Sequence, residues 1–193
     1  MIIGITGASG AGKSIASKVF EKNGFFIIDL DKIAHGIYDT NKLCVEEVAR
    51  EFGNGILDTN GKVMRKKLGE IVFADKEKLN ILNKITHKYI LNEVFKKLDG
   101  KNNAVLDAPL LFEAGLEKHC DITLGIISPN EVKTKRIQER DGVSQGYAEK
   151  RLEKQHSDEF FKKNCTYCIR NNGDIPEFIK KVELFIKNEV NNK

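Results

Sequence analysis

Gly7, Gly12, Lys13 and Ser14 stand in ITGASGAGKS, residues 5–14, at the spacing G-x-x-x-x-G-K-S. Glycines let the backbone curl through dihedrals that a Cβ forbids, so that successive N–H groups point inward at one anion. The lysine brings a full positive charge to the β- and γ-phosphates of a nucleotide, and the serine hydroxyl is a ligand for Mg²⁺. A helix starting at the lysine adds the positive end of its dipole. From average residue usage the pattern arises by chance in roughly one chain in a hundred. An apolar run before it and helical residues after it make chance rarer. The stretch Gly10, Ala11, Gly12, Lys13, Ser14 and Ile15 is therefore the expected phosphate site, with Ser14 on the metal.

Carboxylates and arginines supply the other candidates. Asp29 and Asp31 end the run IIDLDKIAHG, and a carboxylate beyond a strand end can take the proton of an acceptor hydroxyl. Asp31 is equally placed to cap a helix starting at Lys32. In NAVLDAPLLFEAGLE, Asp107 follows an apolar strand, where a Walker-B carboxylate would hold Mg²⁺ through water. Glu113 follows six residues later. A helix cap and a solvated face are the plain alternatives for these two. Arg136 and Arg140, four apart on a helix, suit a lid that closes over phosphates, or else a salt-laced surface. His35, His119 and His156 read as incidental, and His87 as a packing residue inside a helix.

The loop by itself serves a kinase or a nucleotide-gated switch. NKIT (83–86) and NKLC (41–44) lack the aspartate of the guanine-reading N-K-x-D, and DTNG (58–61) lies among turn residues. A kinase of some small hydroxyl compound, such as a nucleoside or sugar acid, and a nucleotide-gated binding module both remain open on these residues.

Strands and helices must alternate to place these groups. Strands are expected at 1–6, 25–29, 103–109, 122–128 and 166–172. Helices are expected at 13–22, 42–52, 62–73, 76–98, through 129–163, where Gly142 interrupts and a new helix begins near Ser144, and from 174 to 190. The strands are continuous apolar runs, which implies a parallel sheet buried on both faces, an α/β fold.

The 193 residues suffice for one good core with an insertion. At 40% hydrophobic and 31% charged the chain is globular rather than disordered. A net charge of +4 is too small to argue for nucleic acid. No basic leader and no long apolar span occur, so no membrane association and a cytoplasmic address are expected. Cys44, Cys120, Cys165 and Cys168 are expected to be reduced packing residues. CTYC lies in an apparent strand, where positions three apart face opposite ways.

The chain resembles the dephospho-coenzyme A kinase family over nearly its whole length. The resemblance is carried by IGITGASGAGKS, FIIDLDKIAHGI, FGNGILDTNGKVMRKKLGEIVFAD, the region of His87, LDAPLLFEAGLE, RIQERDGVS, RLEKQ and IRNNG. It implies a P-loop NTPase three-layer sandwich with a five-stranded parallel sheet. The nucleotide-binding core would be 1–30, 101–135 and 164–193, the helical acceptor domain 31–100, and the lid 136–163. It implies MgATP-dependent phosphorylation of the ribose 3′-hydroxyl of dephospho-coenzyme A, by a monomer or weak homo-oligomer whose partners are small molecules. Asp31 matches the family's base, and Arg140 the lid arginine acting with Lys13. Arg65 and His87, with Asp31, Asp107 and Glu113, fall on the acceptor side. The chain departs from the family at Lys88, where His-Pro is usual, and at Ile15, where threonine usually follows the loop serine. Near the lid's end a Lys and then Ala-Asp are usual, where this chain has Phe161, Cys165 and Thr166.

Overall fold

The computed structural model describes residues 1–190; residues 191–193, the last of the core segment expected over 164–193, lie outside the described residues. Packing divides the chain into two units, Met1–Asp29 with Gly100–Lys193, and Leu30–Asp99.

The first unit holds β1 (Ile2–Thr6), β2 (Phe26–Asp29), β3 (Ala104–Asp107), β4 (Ile122–Ile127) and β5 (Tyr167–Arg170). All five are parallel, in the order β2-β3-β1-β4-β5. Ile3 and Ile5 are fully buried on one face of β1. On the other face a Cβ at Gly4 would fall 2.8 Å from both Leu111 and the Cys120 sulfur. Both faces are thus covered, and the strands read as unbroken apolar runs. The helices are α1 (Lys13–Lys22), α6 (Asn130–Asp141), α7 (Gln145–Glu153), α8 (Asp158–Asn164) and α9 (Ile175–Phe185), the last continuing as a π-helical turn over Ile186–Val190. Ala16, Val19 and Phe20 of α1 join Phe178, Val182 and Phe185 of α9 in the core over β1, β3 and β4. Phe161 of α8 packs on the opposite face. This is the three-layer α/β sandwich of P-loop kinases. β1 is central, and the chain leaves it for β2 and β3 on one side and for β4 and β5 on the other. Such a switch point opens a crevice beyond the carboxyl ends of the strands, where the loop after β1 lies.

The second unit is helical: α2 (Leu30–Thr40), α3 (Lys42–Phe52), α4 (Arg65–Phe73) and α5 (Lys76–Leu98). Ile37, Cys44, Val48, Ile56, Leu68 and Val72 form its core. Asp58 folds DTNG into a turn, accepting from the amides of Asn60 at 2.8 Å and Lys62 at 2.9 Å. α5 runs unbroken through Lys88, a residue that keeps the backbone N–H a proline would remove.

Three local expectations change. α2 begins at Leu30, so Asp31 occupies its first turn rather than the cap of a helix starting at Lys32. His87 is exposed on α5, not packed, because the apolar residues around it turn to the other side. Cys165 precedes β5 and ends α8, so strand alternation does not separate it from Cys168.

Candidate nucleotide site

The loop from Gly7 to Gly12 joins β1 to α1. Gly7, Gly10 and Gly12 all have positive φ, at 143°, 76° and 111°. A Cβ would strike the Ile126 carbonyl from Gly7 at 2.3 Å, the Lys133 carbonyl from Gly10 at 2.6 Å, and Asn171 Nδ2 from Gly12 at 2.4 Å. Glycine lets the loop lie against β4, α6 and the end of β5. α1 starts at Lys13 with no side-chain cap and no acidic residue in its first turn, so its positive end faces the loop uncompensated.

Distant side chains hold the loop from behind. Arg136 Nη1 donates to the Gly10 carbonyl at 2.9 Å and, more weakly, to that of Ala11 at 3.4 Å. Asn171 Nδ2 donates to the Ala11 carbonyl at 2.8 Å, and Asn171 Oδ1 accepts from Arg136 Nη2 at 3.0 Å. Asn171 is fully buried just after β5. Peptide planarity then turns the Gly12 N–H away from the side on which Asn171 holds the Ala11 carbonyl. Gln155, between α7 and α8, accepts from the Ser9 amide at 2.8 Å and donates to its hydroxyl at 3.2 Å. Burial lowers the Arg136 pKa, opposed by Glu139.

Lys13 Nζ donates to the carbonyls of Gly7 at 2.7 Å and Ala8 at 3.3 Å, so the ammonium lies within its own loop. Ser14 is exposed and Ile15 packs into the core beside α1. Ser17, one turn beyond Ser14, donates its hydroxyl to Asp107 Oδ2 at 2.6 Å. Asp107 is the last residue of β3, not a helix cap, and pairs in register with Asp29. Ser17 and Ser14 are three apart on α1, so Asp107 is held on the side of the helix that carries Ser14. Glu113 Oε1 lies 3.0 Å from His156 Nε2, and the His156 ring stacks on Phe160 at 3.6 Å. His156 is therefore structural rather than incidental.

Arg140 grips Asp141 with two bonds, Nε at 2.7 Å and Nη2 at 2.9 Å, and Arg151 joins the same carboxylate at 2.9 Å. The Arg140 hydrogen bond holds the Asp141 carboxyl below its ordinary range and raises the arginine. Lys133, only 3% exposed, pairs with Asp158 at 2.7 Å and ties α6 to the start of α8. These helices border a cleft of about 940 Å³ that reaches Ala8.

Within the helical unit, Arg65 opens α4 and reaches back to α2. It donates to the His35 carbonyl, pairs with Asp39 at 3.2 Å and lies 5.2 Å from the Tyr38 ring centre. Burial pushes the Tyr38 hydroxyl up to about 12, with Cys44 adding and Arg65 opposing. His35, read as incidental, is thus part of the arginine's seat. The structure gathers the loop, Lys13 and Asp107 in one place, and Arg65 on α2. Sequence reading missed Ser17, Gln155 and Asn171. RLEKQ and IRNNG, which contain Gln155 and Asn171, were the available signal, whereas nothing in the local pattern marks Ser17.

The sequence model described as Dephospho-CoA kinase matches residues 1–177. The chain belongs to the dephospho-CoA kinase family. It is 45% identical over 188 residues to the dephospho-CoA kinase of Fusobacterium nucleatum, covering 96% of each chain. It is 39% identical over 184 residues to that of Aquifex aeolicus, covering 94% of this chain and 93% of the relative. Among solved structures, the dephospho-CoA kinase from Campylobacter jejuni superposes with a TM-score of 0.74 at 32% identity, over 99% of this chain and 98% of that one. This family member therefore shares sequence and fold with kinases along almost its entire length.

Proposed function

We propose that the protein transfers the γ-phosphoryl group of ATP to the ribose 3′-hydroxyl of dephospho-coenzyme A, giving coenzyme A and ADP. The family match over residues 1–177 carries this reading. In it the amides from Gly10 to Ile15 and the Lys13 ammonium hold the phosphates. Ser14, with Asp107 acting through water, would hold Mg²⁺, which supplies positive charge against the phosphate oxygens. The 3′-oxygen forms the new P–O bond as the bond to the β-phosphate breaks, and its proton passes to Asp31. A modest base suffices, because the transition state is loose and proton loss is late.

Arg140 stabilises charge on the transferring group. If it turns from Asp141, Arg151 remains on that carboxylate and keeps it paired. Arg65, His87 and Glu113 contact the acceptor. Residues 31–100 form the acceptor domain and 136–163 the lid.

ADP release with dephospho-coenzyme A, nucleosides and sugar acids as alternative acceptors tests the assignment. Stimulation by dephospho-coenzyme A alone, with phosphate found on the 3′-oxygen, is the expected result. ADP release that no acceptor stimulates would overturn it in favour of a nucleotide-gated module.

A further inference from the structure

Cys165 and Cys168 carry chemistry that phosphoryl transfer does not use. Cys165 ends α8, where its amide donates to the Phe161 carbonyl at 2.8 Å, and the chain bends through Thr166 before β5 begins. Cys168 lies in β5 opposite Gly125 of β4. A Cβ on Gly125 would fall 2.9 Å from the Cys168 sulfur and 3.1 Å from the Cys165 sulfur. Glycine inside a buried strand sacrifices packing and marks a close approach. Here the space is filled by two thiols, both beside the same Gly125.

Both are partly exposed and free of disulfides, Cys168 on the edge strand β5 and Cys165 just before it. The other cysteines differ. Burial pushes Cys44 up to about 11 and Cys120 up to about 12, leaving both as inert thiols. The hydrogen bond from Cys165 lowers Cys168 and raises Cys165. The Gly125 amide and Lys162 also lower Cys168, while burial and Asp158 oppose. Two thiols that share the space beside Gly125 are placed so that one can attack a disulfide and the other resolve it.

We propose that Cys165 and Cys168 form a redox-active dithiol, oxidised to an intramolecular disulfide by the disulfide of a small thiol. The Cys168 thiolate attacks one sulfur of that disulfide. A mixed disulfide forms, the original S–S bond breaks, and one thiolate leaves. Cys165 then loses its proton to solvent and attacks the Cys168 sulfur, releasing the second thiolate. The two cysteines lose two electrons and the small disulfide gains them. The new bond ties the end of α8 to β5. Any effect on turnover would rest on the proposed lid, but the thiol chemistry does not.

The intact protein treated with oxidised glutathione, quenched with acid and blocked with N-ethylmaleimide, is digested and weighed by mass spectrometry. The segment containing Cys165 and Cys168 should be lighter by two hydrogens, and dithiothreitol should reverse this. Cys44 and Cys120 should label only after denaturation. Cys165→Ser should stop at a stable glutathione adduct on Cys168. Gly125→Ala, which crowds both sulfurs, should slow closure at least tenfold. Wild-type protein that keeps both thiols, or holds glutathione on either without closing, would overturn the proposal.

Discussion

Arg136 makes three bonds from one guanidinium, to two loop carbonyls and to Asn171. The planar fork spreads these bonds over two nitrogens at a fixed spacing, which a single ammonium nitrogen does not reproduce. Arg136→Lys should therefore keep the charge but weaken ATP binding about tenfold, since hydrogen bonds to charged groups are worth about 1.5–3 kcal/mol. Calorimetric titration with ATP measures it; unchanged affinity would mean that the loop holds its form without the fork. Asp31 sits in the first turn of α2. As the proposed base, its replacement in Asp31→Asn should lower kcat about a hundredfold or more and leave ATP affinity intact. A variant turning over at the parental rate would remove Asp31 from that role. Lys13→Ala should raise the ATP Kd and lower kcat together, because the ammonium supplies charge to bound phosphates and to the transition state.

Between α3 and α5, Glu47 accepts from Lys88 Nζ at 2.6 Å and from the Tyr89 hydroxyl. The Lys88 bond, then the Tyr89 bond, lowers its carboxyl below the ordinary range. A carboxyl lowered on folding adds stability above its unfolded pKa, and that stability is lost as pH falls through the folded value. Glu47→Gln should thus lower Tm at neutral pH, and the gap from the parent should close below about pH 4, under the ordinary glutamate range. Melts between neutral pH and about pH 3 would show it. A gap that did not change with pH would trace the loss to packing instead of charge. The same two elements place Lys88: an unbroken α5 delivers this lysine to Glu47.

At the scale of the molecule, the large core over the sheet and the core among the four helices of Leu30–Asp99 share no residue among those described. Ile56, fully buried in the second, has no share in the first. Ile56→Ala should cost about 2–5 kcal/mol. Hydrogen exchange should lose protection in α3, α4 and α5, while β1, β3 and β4 keep theirs. Equal loss across the sheet would show that the chain opens as one cooperative unit.

The amino-acid sequence alone determined the phosphate loop, the parallel α/β sheet and the run of helices after Asp29. Each of these is written in local signals: fixed glycine spacing, unbroken apolar runs and helical periodicity. Strand ends moved by at most two residues, because hydrogen-bonded partners, not composition, end a strand. Only the tertiary structure decided what holds the loop. Arg136 lies 126 residues from Gly10, Gln155 146 from Ser9, Asn171 160 from Ala11 and Ser17 90 from Asp107. Such pairs leave no periodic trace; they exist because the sheet order sets the ends of β1, β3, β4 and β5 side by side. The bend at Thr166, which brings two sulfurs beside Gly125, was hidden for the same reason: it depends on where α8 stops and on the space that Gly125 leaves.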